Sequence, residues 1–427
     1  MQQPTATQHF RHNFIYNVLD GMFFGLGIGF ASFVTVIPLF VDTLTDSTLL
    51  IGLIPAIHTL GWQLPQLFTA SRVARLPRYK PMTLTMTLQE RWPFFGLAVV
   101  ALLSATISPA LALALTFALL IWQGLGGGLT ATPWQSMITK IMPPNRVGLF
   151  YGTQSAAANL MAGIGAIAAG ALLLRLDPAP GFALCFGIAG AAMVVSLVFL
   201  SRTREAATPP PTTADSRASF WPMLRGILRR DPNFRWFLVA RVLAQFAFMA
   251  VGFFTIYAVR RFAVDEQTAG VMTGIFLFSQ TLAGPLIGLS GDRWGHRQVY
   301  IAGALLMTAA AGLALAAPEA AWFYGIYALA GVANSVFWTT TMSIVVEFGA
   351  LAERPYYIGL INTLVAPATL LAPIAGGWLV DAVSFEAMFI AATAAGALTT
   401  LVLVGLMRDP RLRQQAQAQA ASAAPTL

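Results

Sequence analysis

The chain has 427 residues, of which 57% are hydrophobic and only 10% are charged. Soluble globular proteins carry about 25% charged residues, so this composition excludes a soluble fold, even one with a large core. The net charge of +8 comes from basic residues scattered over short polar segments. Such a distribution forms no compact basic groove and argues against nucleic-acid binding.

Apolar runs of about 20 residues, the length that crosses a bilayer core, recur along the sequence. They are continuous rather than alternating, which favours helices over a strand barrel. The sequence therefore predicts an all-α integral membrane protein with twelve transmembrane helices. The predicted spans, numbered in chain order, are 14–41, 47–71, 81–104, 109–138, 147–174, 180–201, 234–260, 267–289, 298–317, 320–347, 355–381 and 385–407.

The distribution of basic residues predicts the orientation of these spans. Of the 25 Lys and Arg residues, 20 fall in connections on one side. Only Arg175, Arg260 and Arg261 fall on the other side, and Arg91 and Arg241 fall within spans. The positive-inside rule then places both termini and the long middle connection in the cytoplasm. We expect a multi-pass protein of the cell (cytoplasmic) membrane.

A Pro- and Thr-rich segment at 204–219 separates the first six spans from the last six, and its composition predicts disorder. The stretch "FWPMLRGILRR" follows and is predicted to form an amphipathic helix at the membrane surface. The predicted organisation is an N-terminal six-helix bundle at 1–201, a cytoplasmic linker with this helix at 202–232, a C-terminal six-helix bundle at 233–408 and a disordered cytoplasmic tail at 409–427.

The two halves share residues at a nearly constant spacing. One set recurs 218 residues later and another recurs 207 residues later. The repeated residues are Gly52, Ile57, Leu64 and Arg75 in the first set, and Gly152, Gly170 and Leu172 in the second. Their conserved order indicates a duplication that gives two pseudo-symmetric bundles, the construction of many secondary transporters.

A charged island, "GLSGDRWGHRQ" at 288–298, lies between spans 8 and 9. Together with two halves of six spans each, it resembles the major facilitator superfamily over essentially the whole set of spans. The residues that match the signature loop of that family are Gly288, Asp292, Arg293, Gly295 and Arg297. The resemblance implies the major facilitator fold and a loop that serves as a cytoplasmic latch in conformational switching rather than in substrate binding.

Physical chemistry agrees with the latch interpretation. Gly295 can supply a tight turn, and Asp292 can accept hydrogen bonds from the first amides of a neighbouring helix. The alternative is a solvated loop whose charges only fix the topology. The first-half copy keeps Arg75 but has Ala74 and Pro77 where the pattern has Asp and Gly, so we expect the second half to carry the switch alone.

The resemblance also implies that helices 1, 4, 7 and 10 line a central cavity. These spans carry polar side chains at helical spacing, whereas spans 6, 9 and 12 have almost none. The predicted substrate-cavity residues are Asn17, Asp20, Gln123, Thr130, Trp134, Arg241, Gln245, Asn334, Trp338 and Thr341.

Ionisable residues within spans cost at least about 2.5 kcal/mol each on insertion scales, so each needs a reason. We predict that Asp20 pairs with Arg241, either for proton coupling or charged-substrate binding, or as a static tie between the halves. For Glu90 and Arg91 in span 3 a structural bond is favoured, with Arg91 snorkelling or reaching a backbone carbonyl. The candidates for proton coupling are Asp20, Glu90 and His58.

Other residues limit the chemistry. Glu347, at the end of span 10, is expected to meet cytoplasmic solvent. The lone Cys185 and the dispersed His residues argue against a metal site, and no phosphate-binding "GxxxxGK" occurs. We therefore expect no metal, no cofactor and no enzymatic constellation.

The sequence thus predicts a secondary active transporter that moves a small solute by alternating access. Proton-coupled efflux of amphipathic or drug-like compounds is favoured, by a mostly apolar cavity and a general resemblance to bacterial drug–proton antiporters. The helix 5 signature of those antiporters is incomplete, since Ala166 stands in "GIGAIAAG" without a Pro. A sugar or other neutral-solute transporter and a non-transporting membrane sensor stay open. The expected partners are the solute, protons and the lipid bilayer, with a monomer and no nucleic acid.

Overall fold

The structure is a computed structural model that describes residues 9–45, 47–208, 220–264, 266–349 and 351–411. Residues 209–219 of the predicted linker and residues 412–427 of the predicted tail lie outside the described residues. The α-helices of the described part are α1 (Phe10–Phe30), α2 (Val36–Asp42), α3 (Thr48–Gln63), α4 (Gln66–Val73), α5 (Lys80–Leu103), α6 (Pro109–Ile141), α7 (Val147–Leu173), α8 (Pro178–Ser201), α9 (Phe220–Arg230), α10 (Pro232–Phe248), α11 (Val251–Phe262), α12 (Glu266–Trp294), α13 (His296–Ala316), α14 (Trp322–Phe348), α15 (Arg354–Thr363), α16 (Ala366–Ala382) and α17 (Phe385–Gly405).

Each predicted span is occupied by one helix or by two consecutive helices, so the predicted helical membrane fold is confirmed. Within the described residues, nine helical segments are long and apolar enough to cross a membrane. They correspond to predicted spans 4 to 12. Spans 1 and 2 are interrupted at 31–35 and 64–65, and span 3 carries Glu90 and Arg91 near its middle. The count of twelve therefore stays a prediction.

Local sequence explains where several helices begin. Ser108 accepts a hydrogen bond from the Leu111 amide, and Ser384 accepts one from the Ala387 amide. Asp231 does the same for the Phe234 amide at the start of α10. Side-chain oxygens at this position satisfy amides that have no partner within the helix.

The interruptions of the first two spans also have local causes. The Ser32 hydroxyl accepts from the amides of Val34 and Thr35 at 3.3 and 3.2 Å. This offers the backbone an alternative to helical hydrogen bonds, and α1 ends at Phe30. Pro65, between α3 and α4, has no amide hydrogen to donate.

The chain divides into two compact units. Unit 1 comprises Met1–Pro143, Thr153–Thr213 and Ile358–Thr363, and unit 2 comprises Pro144–Gly152, Ala214–Tyr357 and Leu364–Leu427. Two short segments thus belong to a different unit from the one that the predicted halves, 1–201 and 233–408, assign to them. The start of α7 belongs to unit 2, and the end of α15 belongs to unit 1.

Within unit 1, α1 packs on α8, and α5 packs on both α6 and α8. The glycine stripe of α1 allows close approach to the part of α7 that belongs to this unit. A Cβ added at Gly25 would lie 2.1 Å from the Ala158 carbonyl oxygen, and one at Gly29 would lie 2.2 Å from that of Ala162. Glycines therefore let α1 pack closely against this part of α7. Within unit 2, α14 packs against α12 and α13, and α17 packs against α10 and α13.

Gly25→Ala should destabilise unit 1 by about 1–3 kcal/mol, the usual cost of overpacking, because backbone rather than a flexible side chain blocks the new methyl group. Gly163→Ala is the matched control, since nothing lies within 4 Å of a Cβ at that helical position. Thermal unfolding of the two variants in detergent gives the comparison. Equal midpoints would show that α1 and α7 do not approach at Gly25.

Candidate functional site

Charges from predicted spans 1 and 3 meet inside unit 1. Arg91 of α5 donates from Nη2 to Asp20 Oδ1 of α1 at 3.3 Å and to Ser196 Oγ of α8 at 2.8 Å. Ser196 donates to the same Asp20 oxygen at 2.5 Å. All three side chains are buried. They form a charge-assisted hydrogen-bond network rather than an exposed ion pair.

Arg91 also satisfies its remaining donors within unit 1. Its Nε donates to the Met193 carbonyl oxygen at 3.1 Å, and Nη1 lies 3.5 Å from the Thr87 carbonyl oxygen. The guanidinium carbon stands 5.5 Å from the centroid of the Phe24 ring. Of the two alternatives predicted for Arg91, snorkelling or reaching a backbone carbonyl, the structure shows the second.

Glu90 is the second carboxylate of this group. Its Oε2 lies 3.8 Å from Arg91 Nη1, a longer contact than that of Asp20. On the other side it lies against α6, where a Cβ added at Gly127 would stand 3.0 Å from Glu90 Oε1. We call Asp20, Glu90, Arg91 and Ser196 the buried charge cluster. When both acids are ionised it holds two negative charges and one positive charge.

The predicted pairing of Asp20 with Arg241 would join the two units and stays a prediction. Asp20 takes Arg91 as its partner within unit 1, whereas Arg241 donates from Nη1 to Thr341 Oγ1 at 2.6 Å within unit 2. The prediction rests on the equivalent depths of Asp20 and Arg241. Because α1 packs on α8, and α5 also packs on α8, the guanidinium of Arg91 is brought to Asp20.

Asn17, a predicted cavity residue, makes its hydrogen bonds within unit 1. Its amide donates to the Asn13 carbonyl oxygen at 2.8 Å and to Thr203 Oγ1 at 3.0 Å. Asn13 exchanges two hydrogen bonds with the backbone of Arg204. The polar side chains of α1, Asn13, Asn17 and Asp20, therefore face α8 and the segment that follows it.

The predicted polar residues of α6 are mostly engaged within unit 1. The Gln123 Oε1 lies 3.0 Å from His58 Nδ1, and the His58 ring stacks on Phe33 with centroids 3.9 Å apart. The Thr130 hydroxyl donates to the carbonyl oxygen of Gly126 in its own helix. Trp134 is half-buried.

The predicted cavity residues of unit 2 lie on α10 and α14. Asn334 donates to Gln280 Oε1 of α12 at 2.7 Å. Trp338 is 48% exposed, and Gln245 is half-buried one turn beyond Arg241. The structure thus brings Arg241 to Thr341 and leaves Trp338 on a surface of this unit.

The signature loop makes the contact expected from the sequence, within unit 2. The Asp292 carboxylate accepts from the amides of Gly148 at 2.8 Å and Leu149 at 2.7 Å, which lie in the first turn of α7. Amides at a helix start have no partner in the helix and carry partial positive charge. Gly288 permits the approach, since a Cβ there would stand 2.0 Å from the Gly148 carbonyl oxygen. Gly295 has φ +107°, as its predicted turn requires.

A second layer of charges supports this loop. His296 Nδ1 lies 2.6 Å from Glu347 Oε1, and its Nε2 lies 3.8 Å from Asp292 Oδ1. Arg411 Nε donates to the same Glu347 oxygen at 2.7 Å. Glu347 is 5% exposed, so the expectation that it meets solvent is wrong. The reason is that α13 and the segment after α17 both close over the end of α14.

The other basic residues at and around the loop, and Arg75 of its first-half copy, either bind helix ends or face outward. Arg411 donates to the carbonyl oxygens of Gly291 and Asp292 at the end of α12. Arg297 donates to the carbonyl oxygens of Leu403 and Val404 at the end of α17. Cations are favourable at helix carboxyl ends. Arg75 and Arg293 are exposed.

Unit 1 contains a comparable set of hydrogen bonds, which the sequence patterns did not predict. Glu205 accepts from the amides of Tyr79 and Lys80 at the start of α5, at 2.8 and 2.7 Å, and from Lys140 Nζ at 2.8 Å. Glu347 of unit 2 lies 207 residues after Lys140 of unit 1, which is the spacing of one repeated set. The repeated position therefore carries a base in unit 1 and an acid in unit 2. The prediction of disorder from residue 204 is wrong for its first residues, because Arg204 and Glu205 are tied down in this way.

A further missed contact lies in unit 1, near the first-half copy of the loop. Asn362 donates to Gln66 Oε1 at 2.6 Å, and the Thr363 hydroxyl donates to the Gln63 carbonyl oxygen at 3.0 Å. A Cβ at Gly359 would lie 2.8 Å from Leu67 Cα. Neutral amides therefore hold α4 to the end of α15, where the sequence lacks the signature Asp.

Two cavities of unit 2 lie away from the predicted cavity residues. One, of about 680 Å³, adjoins the start of α10 and the end of α17 and is lined by Arg230, Trp236 and Arg408. The other, of about 730 Å³, is apolar and adjoins Trp322 on α14. The described part of the chain contains no group of three or more His, Cys, Asp or Glu residues arranged to hold a metal ion.

The helical membrane fold and the signature loop indicate the class of multi-pass membrane transporters. Comparison with known proteins assigns the family. The sequence model of the Major Facilitator Superfamily matches residues 87–260 and 242–426. Together these ranges cover well over half of the chain. The chain belongs to the Major Facilitator Superfamily, which groups transporters rather than enzymes.

Curated relatives match over shorter stretches. "Multidrug transporter protein MdtP" of Bacillus subtilis (strain 168) is 24% identical over 118 residues, 28% of this chain and 22% of that protein. "Monocarboxylate transporter 6" of Homo sapiens is 27% identical over 191 residues, 42% of this chain and 38% of that protein. "Efflux pump aflT" of Aspergillus parasiticus is 26% identical over 132 residues, 31% of this chain and 25% of that protein. The chain thus spans roughly a fifth to two fifths of the length of these relatives.

Solved structures match almost the whole chain. An outward-facing bacterial homologue of the iron transporter ferroportin has a TM-score of 0.72 at 16% identity, covering 92% of this chain and 98% of its own. The transporter FucP in its outward conformation has a TM-score of 0.73 at 14% identity, with the same coverage. At such identities the likeness concerns the fold alone.

Proposed function

We propose that this protein is a proton-coupled exporter of amphipathic or drug-like compounds that works by alternating access. The observation that supports this proposal most directly is the buried charge cluster of unit 1. An ion pair kept inside membrane-spanning helices is costly and marks a functional site by default. The coupling ion, the direction and the solute class are parts of the proposal.

Charge balance assigns the roles within the cluster. Two carboxylates face one guanidinium, so one negative charge stays uncompensated until a proton binds. Asp20 holds Arg91 through a direct contact and the shared Ser196 hydroxyl, whereas Glu90 meets Arg91 only at 3.8 Å. We therefore assign Glu90 as the proton carrier and Asp20 as the anchor of Arg91. Protonation removes the uncompensated charge and makes movement of the cluster into a different environment less costly.

The signature loop supplies the conformational switch in this proposal. The two hydrogen bonds from Gly148 and Leu149 to Asp292 join the start of α7 to the end of α12. They form in the state described here and would break in the opposite state. A contact made in one state only shifts the balance between the two states by its own free energy.

The proposed direction of transport rests on similarity to relatives, and the proposed orientation of the chain rests on the distribution of basic residues. Two relatives carry names that denote multidrug transport or efflux. The excess of basic residues on one side of the spans favours cytoplasmic termini in a cell membrane. This chain would then act as a multi-pass protein that carries small molecules outward in exchange for protons.

The proposal is tested in everted membrane vesicles that are energised to an acid interior. Lipophilic cations, neutral antibiotics, amphipathic acids, sugars and amino acids are added in turn while a fluorescent probe reports the pH gradient. Protein-dependent collapse of the gradient by amphipathic compounds supports proton-coupled export. Absence of any response across the panel contradicts it and favours a non-transporting membrane sensor.

Glu90→Gln is expected to lower this collapse at least 10-fold while substrate binding changes less than about 3-fold. The amide cannot carry the coupling proton, but it keeps the volume and much of the polarity of the acid. Glu319→Gln, at an exposed carboxylate between α13 and α14, is the matched control and should behave as wild type. Full coupling in Glu90→Gln would remove Glu90 from the mechanism.

A transporter of sugars or other neutral solutes is the second candidate. The amide pair of Asn334 and Gln280 favours it, since amides suit hydroxyl groups. In the same assay, collapse of the gradient by sugars and not by amphipathic compounds would select this alternative.

A further inference from the structure

Arg241 is a buried cation with no acidic partner among the described residues of its own unit. Its residue is 7% exposed, near the middle of α10. Within the described residues of unit 2, no carboxylate lies within ion-pair distance of its guanidinium. Nη1 donates to Thr341, and the buried Nε–H has no acceptor in that same part of the chain.

The neighbouring Tyr300 repeats this deficit. It is 1% exposed, adjoins Arg241, and its hydroxyl makes no hydrogen bond of good geometry within the described residues. Its ring is held by Phe237 and Phe337, at centroid distances of 5.5 and 5.0 Å. The Tyr300 hydroxyl thus lies beside the Arg241 guanidinium and the Thr341 hydroxyl, and the buried Nε–H of Arg241 still has no acceptor within the described residues.

The contrast with unit 1 shows that such a deficit is not general. Arg91 has two acids, a hydroxyl and two backbone carbonyls around it. Thr341 cannot fill the same role for Arg241, because its hydroxyl donates to the Phe337 carbonyl oxygen and offers the guanidinium only a neutral acceptor. A buried unpaired charge is among the most costly features of a protein interior, so a partner from outside the fold is indicated.

We propose that Arg241 and Tyr300 bind the acidic group of an amphipathic organic anion, a carboxylate or sulfonate on an apolar body. The guanidinium supplies the counter-charge, the phenol supplies a second donor, and Thr341 positions the guanidinium. The exposed Trp338 on α14 offers an apolar face three residues from Thr341. This inference rests on the proposed function and names the substrate class within it. An inside-negative membrane potential would also favour the exit of an anion.

Acid and amide pairs test the charge requirement directly. The probes are naphthalene-2-carboxylate with naphthalene-2-carboxamide, and octanoate with octanamide, which differ in charge and little in shape. Binding to the purified full chain is followed by ligand-induced shifts in thermal unfolding, and transport by the vesicle assay. The wild type should prefer each acid to its amide at least 10-fold.

Variants test whether Arg241 and Tyr300 cause the preference for acids over amides. Arg241→Gln should lose most of the preference for acids, because binding of the acid weakens while binding of the amide changes less than about 2-fold. Arg241→Lys should keep part of this preference. Tyr300→Phe, which retains the ring packing, should weaken binding of the acid about 3- to 10-fold. Arg260→Gln, at an exposed arginine of α11, is the matched control. If Arg241→Gln does not fold, Tyr300→Phe still decides the question.

Equal affinity for acids and amides overturns the inference, and so does an acid preference that survives both Arg241→Gln and Tyr300→Phe. Failure of the acids while lipophilic cations or neutral compounds still collapse the gradient overturns the anion site and leaves the proposed function standing. Failure of every compound in the vesicle assay overturns the proposed function itself.

Discussion

Arg91→Met is expected to destabilise unit 1 by about 3–5 kcal/mol and to abolish transport. It removes the only cation of the buried charge cluster and leaves Asp20 and Glu90 buried without a counter-charge, which is the most costly way to break a buried pair. Methionine keeps much of the volume, so loss of packing contributes little. Thermal unfolding in detergent and the yield of folded protein measure the effect.

Companion variants separate charge from packing. Arg91→Met combined with Asp20→Asn should recover part of the lost stability, because the amide needs no counter-charge and only Glu90 then lacks one. Arg78→Met, at an exposed arginine before α5, controls for the loss of a basic residue. If the double variant is no more stable than Arg91→Met alone, the interaction between Asp20 and Arg91 does not hold unit 1 together.

Asp292→Asn should lower kcat about 10- to 100-fold and change KM by less than about 3-fold. The carboxylate accepts one amide on each oxygen, at 2.8 and 2.7 Å. Asparagine has one acceptor oxygen, so one amide of the first turn of α7 loses its partner. A hydrogen bond to a charged group is worth about 1.5–3 kcal/mol, and about 1.4 kcal/mol corresponds to a factor of ten.

Initial rates of transport over a range of substrate concentrations separate the two parameters. Asp381→Asn, at an exposed acid near the end of α16, should leave both unchanged. A rise in KM at constant kcat would contradict the switching role, because it would place Asp292 among the residues that bind substrate.

The helical architecture was predictable because the bilayer imposes one length and one polarity on every span. The contact made by Asp292 was also predictable, since an acid beside a turn glycine has few partners other than a helix start. The recurrence of glycine at every fourth residue, Gly21, Gly25 and Gly29, likewise favours close packing of α1. In each case the relevant information lies within a short stretch of sequence.

The partners of buried charges were not predictable in the same way. Asp20 was matched to Arg241 by depth, but the choice between Arg241 and Arg91 depends on how α1 is rotated about its axis and on which helix lies beside it. A single sequence fixes the spacing of residues on one helix and leaves this rotation open.

Residues beyond the helix ends were missed for a related reason. Glu205 lies in a Pro- and Thr-rich stretch and Arg411 follows α17, so composition alone indicated disorder. Both are nevertheless ordered by specific hydrogen bonds to groups far away in the sequence. Composition reports the average tendency of a segment and does not register a few strong contacts.

The position of Arg411 also has a consequence for the order of assembly during synthesis. Its side chain bonds to Glu347 and to the end of α12, yet it is made only after α17. The ribosome therefore releases α12, α13 and α14 into the membrane long before this clasp can close. Until then, newly inserted unit 2 should be looser at that end and more sensitive to membrane proteases, and pulse-chase proteolysis of nascent chains halted before and after residue 411 would show the tightening.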